Sequence, residues 1–419
     1  MGQIQKLAIQ VVQKLKDHGF TAYFAGGFVR DLLLGISSSD IDIATNALPQ
    51  EVASLFSEHI LVGAQFGVCI VREKGHQFEV ATFRQDIGYQ DGRRPSEIKL
   101  QSSPLEDAKR RDFTINGMFY DPLTHEILDF IDGKKDLEQK IIRTIGNPHE
   151  RFVEDRLRMI RAIRFARRFD FEIEEETKSA IASLSHTLLP SVSMERIWQE
   201  FVKMRKHPNF CDALIDMSRL GLLAAIFPPL RSIQPEEIQN RLNPVKSVSD
   251  RVPPILILSQ LFDDKELQYV LGLAIYLRAS KEETKAIEHY LELSTLYKSD
   301  LGFSNRYEWA YLLASARASA CLELIVARLD PKKQKSEQKR LDELCLDLEF
   351  HLDCIRKRKP LCTAKDLQAY GVRPGKRMGV LLELAERIAI TENIQSKEAL
   401  LTRLKMHPEL ATLNEDSIA

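Results

Sequence analysis

The stretch AGGFVRDLLLGISSSDIDIAT, residues 25–45, contains the features from which the fold is inferred. In a β-strand alternate residues share a face, so Asp40 and Asp42 point to one side and the isoleucines beside them point to the other. Two carboxylates on one face repel each other and lose hydration, so they need a counter-charge. A divalent cation is the usual partner of such a pair. The stretch therefore predicts a strand that carries a metal site.

The glycine pair in the same stretch indicates a second feature. Gly26 and Gly27 precede a segment that is predicted to form a helix from about Val29, with Arg30 in its first turn. Glycines let a phosphate approach the backbone, and a helix N-terminus offers free N–H groups. Taken alone, a glycine pair before a helix is more often only a tight turn. Together with the Asp-x-Asp strand, it favours a site for a nucleoside triphosphate.

Length, charge and cysteine content exclude several classes of protein. A chain of 419 residues is too long for one compact core, so we expect about two to four domains. The net charge of -1 provides no overall attraction to nucleic acid, so a polyanion site must be a local basic patch. The six cysteines form no CxxC pair, which favours reduced, mostly buried thiols. With no secretory signal pattern and no run of transmembrane length, we expect a soluble, cytoplasmic protein.

The hydrophobic pattern divides the chain into a mixed part and a helical part. Residues 1–145 combine helical and strand patterns. Short strands are predicted in TAYFAGG, DIDIAT, GVCIVRE and HQFEVATF. From about Asp136 onward, apolar residues recur almost continuously with helical spacing. The predicted fold class is therefore a small α/β head followed by an all-α remainder.

Two segments supply further polar groups for the predicted site. Glu79 lies in the strand HQFEVATFR, and a two-metal site commonly takes a third carboxylate from a neighbouring strand. A lone acid in a strand is equally typical of a solvated face. The segment KRRDFTINGMFYDP, residues 109–122, places arginines and an aspartate beside an asparagine. Arginine can bind phosphate and the other two can bond sugar hydroxyls, although a surface ion-pair cluster fits the segment as well.

The segment ERFVEDRLRMIRAIRFARRF, residues 150–169, is predicted to form one amphipathic helix. Its apolar side chains gather on one side, and Arg158 and Arg161 gather on the other with Asp155 at the edge. A solvated charged face is one interpretation. The other is that a guanidinium beside a carboxylate presents donors and acceptors to the edge of a base. Arg161 and Arg164 are then placed to reach a triphosphate or a nucleic-acid backbone.

In their order along the chain, these motifs resemble those of the class II tRNA nucleotidyltransferases. This family comprises the bacterial and eukaryotic CCA-adding enzymes and, as close relatives, the bacterial poly(A) polymerases. The matching motifs, within about residues 20–205, are GGFVRDLLLG…DIDIAT, EVATFR, RRDFTIN, DGKKDL, EDRLR and MERIWQEF. The resemblance implies a polymerase-β-like head with a mixed sheet over residues 1–145. It further implies a helical neck at 146–210, a body at 211–350 and a tRNA-binding tail at 351–419.

The resemblance also implies roles for the matching residues. Asp40, Asp42 and Glu79 would be the catalytic carboxylates that bind two Mg²⁺ ions. One ion would activate the 3′-hydroxyl of the RNA, and the other would hold the triphosphate and stabilise the leaving pyrophosphate. Gly27 and Arg30 would contact the phosphates of the incoming nucleotide.

The sugar and the base would be recognised by a second group of residues. Arg111 and Asp112, with Asn116 beside them, would hold the nucleotide and read the ribose hydroxyl, which favours NTP over dNTP. Asp155 and Arg158 would pair with cytosine and then adenine without a nucleic-acid template. Both bases offer an amino donor beside a ring nitrogen acceptor, whereas uracil and guanine offer a carbonyl and a ring N–H. A carboxylate that accepts and a guanidinium that donates therefore fit C and A alone.

The remaining positions of the motifs would play supporting roles. Arg161 and Arg164 would support nucleotide binding, and MERIWQEF would brace the helix that carries them. The helical remainder would contact the acceptor and TΨC arms of tRNA by shape and phosphate. The implied partners are tRNA, CTP and ATP, with no membrane and no obligate protein partner.

Several products and classes stay open. Residues 84–112 resemble the flexible loop linked to the final A-addition step, an element that CC-only enzymes lack. Ala64 and Gln65 stand where poly(A) polymerases have paired basic residues, which weighs against poly(A) synthesis. We therefore place CCA addition first and A addition alone second. A phosphohydrolase would need a His-Asp metal cluster that the ten histidines do not provide, and a non-catalytic RNA-binding protein would not need the three carboxylates.

The implied template pair generates a prediction about fidelity. Replacing Asp155→Ala should degrade the choice of base more than the rate of turnover, because the variant loses the acceptor for the amino group of C and A. Competition between the four nucleotides for incorporation measures this. Unchanged selection of C and A by the variant would exclude the template role of Asp155.

Overall fold

The computed structural model of the chain describes residues 2–61, 66–89, 95–100, 103–262 and 267–407. The strands are β1 Ala22–Ala25, β2 Asp42–Thr45, β3 His59–Ile60, β4 Val68–Glu73, β5 His76–Thr82, β6 Arg84–Tyr89, β7 Pro95–Leu100, β8 Phe119–Asp121, β9 Glu126–Leu128, β10 Ile141–Ile142 and β11 Glu172–Ile173.

Helices occupy most of the rest of the described chain. The N-terminal ones are α1 Gln3–Asp17, α2 Gly27–Leu33, α3 Pro49–Leu55, α4 Pro104–Lys109, α5 Gly133–Glu138, α6 Pro148–Glu154, α7 Leu157–Phe169, α8 Glu175–Leu184, α9 Leu188–Ser191, α10 Met194–Arg205, α11 Phe210–Arg219, α12 Leu222–Ile226 and α13 Pro235–Leu242. The C-terminal ones are α14 Pro254–Ser259, α15 Leu267–Tyr276, α16 Lys281–Ser299, α17 Arg306–Leu313, α18 Ala318–Ala327, α19 Pro331–Asp347, α20 Glu349–Lys357, α21 Ala364–Gln368, α22 Lys376–Thr391 and α23 Lys397–Lys405.

A mixed sheet forms the centre of the first of two compact units, Met1–Gln239. Its strand order is β3-β4-β5-β2-β1-β8-β9. Strands β2 and β5 run parallel and the other neighbouring pairs are antiparallel. The strands predicted from the four apolar segments correspond to β1, β2, β4 and β5. The predicted mixed sheet in an N-terminal α/β part is confirmed.

The register of the sheet places two of the predicted carboxylates on neighbouring strands. Asp42, the first residue of β2, pairs with Ala25 at the end of β1. Between β2 and β5, Ile43 is opposite Val80, so Asp42 and Glu79 each lie one residue before a paired position. Because parallel strands keep their side chains in phase, both carboxylates lie on the same face and at the same height of the sheet.

The predicted continuous helix over residues 150–169 is wrong, because the chain breaks between α6 and α7. Asp155 adopts an extended conformation, with φ -147° and ψ 102°. Its Oδ1 accepts a hydrogen bond of 3.1 Å from the backbone N–H of Leu157. A short acidic side chain that bonds a free N–H in this way stabilises a helix start. Asp155 therefore lies at the junction of two helices and not along the face of one.

The second unit, Asn240–Ala419, is entirely helical in the part of it that the structure describes. Helices α21, α22 and α23 enclose a hydrophobic core that includes Leu367, Leu381 and Leu400. All six cysteines are free thiols, four of them buried and two partly buried. The predicted all-α remainder is confirmed except for the two-residue strand β11, Glu172–Ile173, whereas the division into head, neck, body and tail stays a prediction.

In the described ranges, no single helix has both the length and the apolar character needed to cross a membrane. Helices α17 and α18 satisfy that criterion only together, and they are bent by 110° at the break between them.

Gly133 generates a prediction about the stability of the first unit. A Cβ at this position would overlap the backbone carbonyl oxygen of Thr114 and lie 3.0 Å from Cγ of Met118. Gly133→Ala should therefore lower the free energy of unfolding by about 1–3 kcal/mol, as overpacking does. Gly272→Ala is the matched control, because a Cβ there meets no atom within 4 Å and alanine favours a helix.

Thermal unfolding of the full chain compares the two variants. We expect a lower midpoint for Gly133→Ala and an unchanged or raised midpoint for Gly272→Ala. Equal midpoints would contradict the close approach at Gly133.

Candidate active site

A cavity of about 470 Å³ opens in the first unit, which is within the usual range for small-molecule sites. It is lined by Gly26, Gly27, Arg30, Asp42, Arg111, Asp112, Asn116, Asp155, Arg158, Arg161, Arg164, Phe165, Arg168 and Lys203. Ten of the twelve predicted site residues are in this lining, and Asp40 and Glu79 are not. Seven lining side chains are cationic and three are carboxylates, so the cavity attracts anions although the whole chain is almost neutral.

Asp42 lines the cavity and lies near Asp40 and Glu79, the two predicted carboxylates that do not line it. Its partial burial, followed by repulsion from Asp40 and Glu79, raises the pKa of Asp42 to about 6. Three mutually repelling carboxylates are hard oxygen ligands, and this donor set fits a divalent cation. They do not form a closed cluster, however. Within the described ranges, no group of three or more His, Cys, Asp or Glu side chains is arranged to hold a metal ion by itself.

The glycine pair allows a close approach, but in this structure the group that approaches is an arginine. Gly26 has φ +65°, and a Cβ on it would lie 2.8 Å from Nη1 of Arg111. Because of this φ angle and this close contact, any residue other than glycine at position 26 would require the backbone or Arg111 to shift. The helix predicted after the pair is confirmed as α2, which begins at Gly27.

Asp112 is kept ionised by two of its neighbours. Burial alone would raise the pKa of Asp112, but Arg161 and Asn116 hold it well below its usual range. Nε of Arg161 donates to Oδ2 of Asp112 at 2.9 Å, and the amide of Asn116 donates to Oδ1 at 2.9 Å. Arg111 donates to the buried carboxylate of Asp107 at 2.8 Å. The segment 109–122 thus forms ion pairs, as the alternative interpretation predicted. Arg111, Asp112 and Asn116 of this segment also line the cavity.

Asp155 and Arg158 both line the cavity, but their side chains pair with different partners. Oδ2 of Asp155 accepts a hydrogen bond of 2.7 Å from Arg196. Nη1 of Arg158 donates to Glu154 at 2.6 Å and to the backbone oxygen of Arg151 at 2.8 Å. The acceptor and the donor are therefore held by separate side chains, in the same cavity and on either side of the break between α6 and α7.

The cationic side chains of the cavity lining, which we call the cationic wall, are those of Arg30, Arg111, Arg158, Arg161, Arg164, Arg168 and Lys203. Arg168 and Lys203 line the cavity and were not predicted, and the same holds for Phe165. Arg168 follows Arg164 by four residues, so helical spacing was a usable signal for it. Lys203 lies on α10, and nothing in the local sequence links it to the site.

The segment MERIWQEF holds two of the cavity residues in place. Glu200 is only 2% exposed and accepts a hydrogen bond of 2.6 Å from Nε of Arg164. Arg196, four residues earlier on α10, holds Asp155. These contacts are those of a brace, which is the role predicted for this segment.

Part of the sequence argument about the product concerns residues that the structure does not describe. Ala64 and Gln65 lie outside the described ranges, as do residues 90–94 and 101–102 of the predicted flexible loop. The described parts of that loop form the hairpin of β6 and β7 and helix α4.

Two family models match parts of the chain. Residues 22–143 match the model described as the Poly A polymerase head domain. Residues 170–233 match the model described as Probable RNA and SrmB-binding site of polymerase A. The first match spans the mixed sheet and the second follows helix α7.

Curated relatives resemble the chain over half of its length or over nearly all of it. A CCA-adding enzyme of Enterococcus faecalis is 35% identical over 405 residues, which cover 94% of each chain. A CCA-adding enzyme of Lactobacillus helveticus is 48% identical over 202 residues, which cover 48% of this chain and 50% of that one.

Solved structures resemble the chain as well. The CCA-adding enzyme of Bacillus stearothermophilus in complex with CTP is 28% identical, with a TM-score of 0.73 over 96% of this chain and 98% of that one. The CCA-adding enzyme of Thermotoga maritima complexed with tRNA has a TM-score of 0.68 over 99% and 96% of the two chains. At 23% identity, this second likeness shows the fold alone.

The pKa of Asp42 leads to a prediction for the protein in a metal-chelating buffer. A carboxyl whose pKa is raised on folding binds its proton more tightly in the folded state, so it destabilises the fold above pH 6 and ceases to do so at lower pH. Asp42→Asn should raise the midpoint of thermal unfolding by about 2–4 °C at pH 8. The difference should shrink at pH 5. An equal difference at both pH values would contradict the raised pKa of Asp42.

Proposed function

Because this chain belongs to the family of CCA-adding enzymes, we propose that its cavity binds CTP and ATP in turn and that it adds C, C and A to the 3′ end of tRNA. The protein is a nucleotidyltransferase, and pyrophosphate is the second product of each addition. The observation that carries the proposal is the cavity itself, since ten of the residues that the family resemblance assigns to catalysis or nucleotide binding line it together.

The charges around the cavity suit a nucleoside triphosphate. Guanidinium groups bind phosphate oxygens through forked, charge-assisted hydrogen bonds, and five arginines and a lysine besides Arg111 face the cavity. The triphosphate would bind this cationic wall, with Arg30, Arg161 and Arg164 among its partners. Gly27 would leave room for the phosphates where α2 begins.

Enzymes of this family use divalent metals, and we assign Asp40, Asp42 and Glu79 as the ligands and Mg²⁺ as the ion. When bound, the ions supply charge stabilisation and help to activate the attacking 3′-hydroxyl. Asp40 and Glu79 repel Asp42, so a cation bound to the oxygens of these carboxylates would reduce that repulsion. Asp42, which faces the cavity, would connect the ions to the nucleotide.

Recognition of sugar and base is assigned to Asp112, Asp155 and Arg158, which line the same cavity. Asp112 stays ionised, so it is a competent acceptor for the 2′-hydroxyl of a ribonucleotide. Asp155 would accept the amino group of C or A, and Arg158 would donate to the ring nitrogen beside it. Arg196 and Glu154 hold these two side chains in position.

The other products are less favoured. The matching relatives carry the name CCA-adding enzyme, which favours full CCA addition over A addition alone and over poly(A) synthesis. The second, helical unit would bind the acceptor and TΨC arms of tRNA. A protein that matures tRNA would act in the cytoplasm.

Primer extension on three tRNA transcripts tests the proposal. The transcripts end at the discriminator base, after one C and after CC, and each receives CTP alone, ATP alone or both with Mg²⁺. We expect growth to the CCA end and then a stop, with Asp42→Ala inactive because it removes a metal ligand.

The other outcomes distinguish the alternatives. Extension only of the transcript that ends in CC, and only with ATP, would indicate an A-adding enzyme. Long tails of A would indicate a poly(A) polymerase. No extension of any transcript would contradict the proposed function.

A further inference from the structure

One aromatic ring contacts three of the arginines in the cavity. The guanidinium carbon of Arg164 lies 4.1 Å from the centroid of the Phe165 ring, and those of Arg30 and Arg161 lie at 5.3 and 5.4 Å. All three distances are within the range of a cation–π interaction. Phe165 lines the cavity, yet it is only 4% exposed, so these contacts are formed largely out of water.

Each of the three arginines also pairs with a carboxylate. Arg30 pairs with Asp31, Arg161 with Asp112 and Arg164 with Glu200, and Nη1 of Arg161 also lies 3.9 Å from Glu200. These acids lie on three different elements, namely α2, the segment after α4, and α10. Three guanidinium groups around a small cavity repel one another, so each needs contacts that hold it in place. The shared ring is the group that they have in common.

The contact between rings and arginines is repeated one turn further along α7. Phe169 stacks on Phe165 with ring centroids 6.2 Å apart and planes 8° apart. Arg30 and Arg168 each lie 4.6 Å from the centroid of Phe169. Two phenylalanines at i and i+4 thus alternate with cationic residues along one helix face. This repetition favours a built arrangement over a chance contact in the core.

We propose that Phe165 is a positioning residue for the nucleotide's triphosphate, because its ring orders Arg30, Arg161 and Arg164 without neutralising them. A further carboxylate in its place would add negative charge beside arginines that are already ion-paired, whereas an aromatic face attracts a cation and adds no net charge. The inference rests on the proposed function, since it assumes that the cationic wall receives the triphosphate.

A purely structural role predicts different behaviour. Phe165 also packs edge to face against Phe113, with centroids 5.7 Å apart, so its replacement changes the core as well. If packing were its whole role, a variant would lose stability and active protein, but the folded fraction would bind nucleotide normally.

The test compares Phe165→Leu with Phe210→Leu in the full-length protein. Phe210 is 1% exposed and packs edge to face on Phe201 in the same unit, and no arginine pairs with its ring among the described contacts. Steady-state CTP and ATP addition is measured on tRNA, and inorganic tripolyphosphate is used as a competing ligand. Phe165→Tyr keeps an aromatic ring at this position. Phe165→Met fills the same space without an aromatic ring, and it replaces the leucine variant if that variant does not fold.

For Phe165→Leu or Phe165→Met we expect KM for both nucleotides to rise about tenfold, which corresponds to about 1.4 kcal/mol. The inhibition constant of tripolyphosphate should rise by a similar factor, while kcat changes less than about twofold. Phe210→Leu and Phe165→Tyr should keep the wild-type KM and inhibition constant.

Two results would overturn the inference. One is a wild-type KM and tripolyphosphate affinity in a folded leucine or methionine variant. The other is an equal change in Phe210→Leu, which would reduce the effect to packing. The proposed function is tested separately, because tripolyphosphate binding by the wild-type protein is measurable without tRNA. If tripolyphosphate binding depends on Phe165 but no tRNA is extended, the inference about the anion stands and the proposed reaction is excluded.

Discussion

The pairing of arginines with buried acids is the interaction on which the site depends. Asp31, Asp107 and Glu200 are each 5% exposed or less, and each accepts hydrogen bonds from an arginine that faces the cavity. A buried carboxylate without such a partner would be strongly destabilising, and so would a buried guanidinium. The acids lie behind the wall and the guanidinium groups lie at its surface. The fold thereby keeps a concentration of positive charge that the nearly neutral chain as a whole lacks.

The cavity is electrically polarised as a result. At the start of the central strand β2, Asp42 lies close enough to Asp40 and Glu79 for their repulsion to disfavour its charge. Helix α7 presents to the same cavity arginines that are held by acids and aromatic rings. A cation bound by the carboxylates and a polyanion bound by the arginines would relieve both repulsions together. Repulsion between like charges at this site lowers the stability of the fold, as is common at functional sites.

Local sequence patterns were enough to predict the framework. Alternating apolar residues identified β1, β2, β4 and β5, because a half-buried strand needs one apolar face. Apolar residues at helical spacing identified the helical remainder, because a packed helix also needs one apolar face. This reasoning failed at the junction of α6 and α7, where a hydrogen bond from Leu157 to the side chain of Asp155 replaces the continuing helix. Helical periodicity does not register such a break, since the apolar positions on both sides remain in phase.

The sequence by itself determined which side chains are available to the site and the order of the motifs that carry them. Only the tertiary structure decided the pairings between side chains that are far apart in the sequence, such as Arg161 with Asp112 and Arg164 with Glu200. Asp155 pairs with Arg196, which is 41 residues away, and not with Arg158, which follows it by one helical turn. The cavity also includes Lys203, which no local pattern connects to it. Ion pairs between distant residues depend on how helices cross and on which groups are shielded from water, and neither property is encoded in the spacing of residues along one segment.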